Sequence, residues 1–130
     1  MKQNPGARFL YTYSTEAVKS ELGITDSGWI DLINDTTGTG TVRYRKVGST
    51  VEVQGQYRPA TSGDRIMIGI LPKGYRPAGF TAVAALPNHD YSNFFALRVL
   101  TNGSVEIKSN SAKPFNSGEL CGLHIQYFVD

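Results

Sequence analysis

A chain of 130 residues holds one hydrophobic core and not two, which excludes a multidomain enzyme. Hydrophobic residues at 40%, charged residues at 18%, 14 Gly and 6 Pro suit a turn-rich β protein and exclude a coiled coil, while 7 Tyr, 6 Phe and a Trp exclude a disordered chain. Thirteen basic against eleven acidic side chains leave a net charge of +2, too little to mark a nucleic-acid binder or an anionic-membrane binder.

A lone cysteine, Cys121, forbids an internal disulfide and a multi-cysteine zinc site. No run approaches the roughly 18 apolar residues of a membrane span. The start of the chain lacks the apolar stretch of a signal peptide, so synthesis in the cytoplasm without membrane insertion is expected.

In chain order, residues 1–27 read as a lead-in: Thr15 caps a short helix over residues 16–22, and Gly23 stops it. From Trp29 onward the helical period gives way to alternation, and residues 34–40 form a Thr- and Gly-rich loop. Residues 41–47 and 50–57 make a hairpin around Gly48-Ser49. Its second arm places Val51, Val53, Gly55 and Tyr57 on a core face, opposite Glu52, Gln54 and Gln56; in the first arm Val42 and Tyr44 are the core candidates.

Residues 64–71 carry apolar side chains on both faces, which predicts a strand that is central or at a subunit contact. Residues 78–86 form a further apolar strand, closed by Leu86-Pro87 and the polar loop 88–93. A second hairpin runs over 94–100 and 104–108, turning at Asn102-Gly103, the strongest short hairpin signal in the chain. The last strand, residues 119–129, sets Cys121, Leu123, Ile125, Tyr127 and Val129 on one side and His124 and Gln126 on the other. Seven or eight short strands with no helical pattern between them predict an all-β fold, an antiparallel β-sandwich or jelly roll over residues 28–130.

The chain has no G-x-S-x-G elbow, no Gly-Lys-Ser/Thr phosphate loop and no paired-carboxylate motif. Two histidines cannot form a three-histidine metal site. No catalytic residue, metal or cofactor is therefore assigned. The loop 88–93 stands out because amide, imidazole, carboxylate and phenol groups gather within it beside Phe94 and Phe95, the mixture that sugar recognition requires. His89, Asp90 and Tyr91 are the first candidates for saccharide contact, with Trp29, Arg65 and Arg76 as further contributors. Trp29 reads either as an aromatic platform or as an anchor for the lead-in.

Three stretches carry a resemblance: Gly28-Trp29-Ile30-Asp31-Leu32; residues 40–48 with Val51-Glu52-Val53-Gln54-Gly55; and Ile70-Leu71-Pro72-Lys73-Gly74-Tyr75-Arg76-Pro77. Together with the Asn102-Gly103 hairpin and the apolar terminal strand, this order resembles the C-terminal receptor-binding head of tail-fibre and baseplate proteins of siphophages and prophages of Gram-positive bacteria. The resemblance implies a non-catalytic β-sandwich head, a homotrimer on the virion tail tip beside other tail and baseplate proteins, which binds a host cell-wall saccharide or teichoic-acid-like polymer. It implies a structural role for residues 71–77 and fixes no binding residue. A structural tail component without glycan binding and a polysaccharide depolymerase tip are the alternatives.

Overall fold

The computed structural model describes residues 23–32, 38–110 and 113–129, and among them the regular elements are all strands. These are β1 (Ile30–Asp31), β2 (Thr39–Val47), β3 (Thr50–Arg58), β4 (Arg65–Ile70), β5 (Ala82–Pro87), β6 (Phe94–Val99), β7 (Ser104–Ser109) and β8 (Cys121–Phe128). They form two four-stranded antiparallel sheets, β1-β2-β3-β8 and β4-β7-β6-β5, which makes the protein a β-sandwich. In the second sheet β5, β6 and β7 form a meander and β4 lies beside β7, a Greek-key arrangement.

Period-two alternation builds the core. In β3 the residues Val51, Val53 and Tyr57 are buried, and they pair with Tyr127, Ile125 and Cys121 of β8. Directly opposed residues share a face, so the same register turns Glu52, Gln54 and Gln56 outward with Gln126, His124 and Gly122. Val42 and Tyr44 of β2 join the inner face, as their alternation predicts. The second sheet supplies Phe95, Leu97 and Val99 from β6 and Val105 and Ile107 from β7. The β2–β3 turn falls on Gly48-Ser49, with Gly48 in the left-handed region at φ 59°.

β4, read from sequence as central or at a subunit contact, is an edge strand of the second sheet, which overturns the central placement. A register shift between Met67 and Gly69 reverses the phase of alternation: Ile68 and Leu71 are buried, whereas Met67 and Ile70 stand 40% and 45% exposed. Within the chain, its two-faced apolar pattern therefore reflects a bulge and not burial between two neighbouring strands. The strand expected over 78–86 begins only at Ala82, because Phe80 N–H turns back to the Ala78 carbonyl at 2.9 Å.

The expected helix over 16–22 lies outside the described residues. The end of the lead-in is fastened to β2: Asp26 bridges to Val47, and Ser27 N–H donates to the Lys46 carbonyl at 2.9 Å. Residues 71–77 are tied to the first sheet. Tyr75 packs edge-on against Tyr44 with ring centroids 5.1 Å apart, and the Tyr127 hydroxyl donates to the Tyr75 carbonyl at 2.5 Å.

Cys121 is buried in β8, and burial pushes its thiol pKa up to about 12. Since the thiolate is the reacting form, a thiol-disulfide reagent at neutral pH is expected to leave the native protein untouched and to titrate one thiol per chain once guanidinium unfolds it. Rapid labelling of the native protein would contradict the burial.

Candidate functional site

Residues 88–93 form a loop because their short polar side chains bond to nearby backbone and displace a strand ladder. Asn88 N–H donates to the Asn93 carbonyl at 2.9 Å, and Asn93 N–H returns to Asn88 Oδ1 at 3.2 Å. Asn88 Nδ2 donates to Ser92 Oγ at 3.0 Å, and Ser92 N–H donates to Asp90 Oδ1 at 3.0 Å. At its tip Tyr91 adopts φ 60°, alone among the described non-glycine residues in having a positive φ, and its side chain is 81% exposed. The loop is thus ordered from within and holds an aromatic ring out to solvent.

Behind the loop lies a cavity of about 120 Å³. His89 and Asp90 line it from the loop side, and Lys113, Asn116 and Glu119 from the segment between β7 and β8. Phe95 and Phe115 also line it, packed edge to face at 5.5 Å. His89 Nδ1 lies 3.4 Å from Glu119 Oε2, and His89 Nε2 lies 4.0 Å from Asp90 Oδ2. Glu119 is itself fixed, since its Oε1 accepts from Asn116 N–H at 3.0 Å. Hydrogen bonding to Ser92, helped by the adjacent His89, holds the Asp90 carboxyl below the usual carboxylate range. At neutral pH Asp90 is an acceptor and not a proton donor.

No protein-family model, curated protein or solved structure matches the chain.

His89 and Asp90 come together with Glu119, while Tyr91 stands on the same loop outside the cavity lining. Trp29, Arg65 and Arg76 lie elsewhere. Trp29 sits beside β1, with the Arg43 and Arg45 guanidiniums each 5.7 Å from its ring centroid. Arg65, on edge strand β4, is committed to Glu106, with Nε 2.9 Å from Oε2. Arg76 Nε donates to the Leu71 carbonyl at 2.9 Å and lines a separate cavity with Asp31 and Tyr44. The sequence reading missed Lys113, Asn116 and Glu119, whose polar stretch carries no local mark of its pairing with a loop far back in the chain.

Among the described residues, no group of three or more His, Cys, Asp or Glu side chains is placed to hold a metal ion. No helix there is long and apolar enough to cross a membrane.

Proposed function

We propose that this chain is a receptor-binding head of a phage or prophage tail, a non-catalytic module that attaches to a host cell-wall saccharide through the loop 88–93. The observation that carries the reading is the pre-ordered loop, which presents an exposed Tyr91 beside a polar cavity whose histidine is set between two carboxylates. Such an arrangement supplies what a sugar needs: a flat ring for its apolar face and fixed acceptors for its hydroxyls. At about 120 Å³ the cavity is smaller than the roughly 300 Å³ of a drug-sized site. It therefore takes one ring edge or one substituent, and a single contact of this kind is weak. Attachment then comes from repetition of the head, as a homotrimer and as many copies on one tail, by effective concentration. Exposed Met67, Val83 and Phe94 on the outside of the second sheet support self-association.

The test is a screen of the purified head against cell-wall glycans of Gram-positive hosts, with light scattering for the oligomeric state. Binding by the parent is expected to weaken roughly ten- to hundredfold in Glu119→Ala and in His89→Ala, the loss that follows removal of a hydrogen-bonding partner. Tyr91→Ala is expected to weaken it by several-fold without altering the melting temperature. Retained affinity in all three variants would move the site elsewhere. A trimer with no glycan binding would favour the structural-component reading, and turnover of the polymer would favour a depolymerase.

A further inference from the structure

The outer face of the first sheet differs from the loop cavity in both shape and chemistry. Antiparallel register lays its side chains out in cross-strand rows: Asp31, Arg43, Gln54 and His124 in one, Arg45, Glu52 and Gln126 in the next, and Thr41, Gln56 and Gly122 on the other side. Trp29 flanks the rows and lies against both Arg43 and Arg45. The two arginines differ in what else they touch. Arg45 is fixed by Asp26, with Nε 2.9 Å from Oδ1. Arg43 is exposed, has Trp29 as its ring neighbour, and forms no ion pair or hydrogen bond through its side chain among the described residues, although Asp31 is its cross-strand partner. Beside it a groove of about 470 Å³ is lined by Gly40, Thr41, Arg43, Gln54, Gly55 and Gln56. The side-chain amides of Gln54 and Gln56 are likewise uncommitted among the described residues.

We propose that this groove binds an acidic saccharide, a chain of mainly neutral sugars in which an isolated carboxylate meets Arg43. Three features select that class. The volume lies within the roughly 300 to 1,000 Å³ of small-ligand sites, enough for a sugar unit lying flat. Glutamine amides and the Thr41 hydroxyl donate to and accept from hydroxyl groups. Arg43, backed by an aromatic face and without a carboxylate ion pair among the described residues, offers a planar fork to one oxyanion. The face as a whole is close to neutral, because Arg43, Arg45 and Arg58 are set against Asp26, Asp31 and Glu52. A polymer with a phosphate on every unit, whether a polyol phosphate or a nucleic acid, gains its affinity from a surplus of cations that is missing here. The site extends the saccharide-binding reading but does not share its residues.

Trp29 is the chain's single tryptophan, so its emission reports on this face. Sialyllactose, lactose, inorganic polyphosphate and a single-stranded oligonucleotide are titrated into the full chain. Sialyllactose, with one carboxylate on an otherwise neutral chain, is expected to shift the emission saturably, more weakly as salt rises, and to lose affinity roughly ten- to hundredfold in Arg43→Gln. Arg43→Lys is expected to recover part of it, and Gln54→Ala to weaken it several-fold. His89→Ala is expected to bind sialyllactose as the parent does, so failure of the loop cavity and failure of this face are read separately. Equal response to lactose, tighter binding of polyphosphate or oligonucleotide, indifference to Arg43→Gln, or no saturable change with any probe would each overturn the proposal.

Discussion

Gly55→Ala is expected to lower stability by roughly 3–5 kcal/mol, the sum of a disallowed backbone conformation and an atom with nowhere to go. Gly55 has φ +151°, and a Cβ there would lie 2.0 Å from the Thr41 carbonyl oxygen and 2.8 Å from Val42 Cα. Both are backbone atoms of β2, which pairs directly with it. Relief by sliding is blocked, because β3 is hydrogen-bonded to β2 on one side and to β8 on the other. Against a total of about 5–15 kcal/mol for an ordinary domain, such a loss leaves a marginal fold. Guanidinium unfolding should show a much lower midpoint at an unchanged slope. Gly122→Ala, one strand away on an exposed site with no atom within 4 Å of the added carbon, should stay within about 0.5 kcal/mol of the parent. Equal midpoints for Gly55→Ala and the parent would show that the β2–β3 pairing accepts a side chain at this crossing.

The same strand shows why the architecture was legible. In β3 and β8 one face is core and the other is solvent, so alternation of Val51, Val53 and Tyr57 with Glu52, Gln54 and Gln56 names the buried face before any pairing is known. Local turn chemistry set the hairpins: Gly48 has a positive φ, and Gly103 N–H closes onto the Leu100 carbonyl at 2.9 Å. Alternation failed at β4 because a bulge inserts a residue without leaving any mark in polarity; Ile66, Ile68 and Ile70 look like one face and are not. It failed again before β5, where Ala78 and Phe80 are apolar but belong to a turn.

The candidate site was legible only in its local half. Six neighbouring residues of mixed polarity announce a loop, so His89, Asp90 and Tyr91 were within reach of composition. Glu119 was not, since what brings it to His89 is the packing of two connections at one end of the sandwich, a contact without a spacing rule. The outer face of the first sheet lies between these cases. Arg43 and Arg45 share a strand face by simple periodicity, but the position of Trp29 beside them depends on the Ile30–Tyr44 register of a two-residue strand too short to read from sequence.

Glu106 is the other position where a single substitution should be costly, by about 3 kcal/mol for Glu106→Ala. It points to the outer side of the second sheet and yet is 3% exposed, because Arg65 and Arg98 close over it. The two partners are unequal. Arg65 holds a well-aligned bond at 2.9 Å but its side chain is 58% exposed, so water replaces the carboxylate easily and Arg65→Ala should cost little. Arg98 Nη2 is 3.0 Å from Glu106 Oε1, an ion pair without hydrogen-bond alignment, and neither Arg98 Nε nor Oε1 has a hydrogen-bond partner among the described residues. Deleting the carboxylate therefore leaves the Arg98 charge largely buried and uncompensated, which is the expensive outcome. Removing both charges should be milder: Glu106→Leu with Arg98→Met, beside their cross-strand apolar neighbours Met67 and Val83, should recover most of what Glu106→Leu alone loses. If the double variant is instead as unstable as the single one, the cost lies in packing around Glu106 and the stranded guanidinium is not its cause.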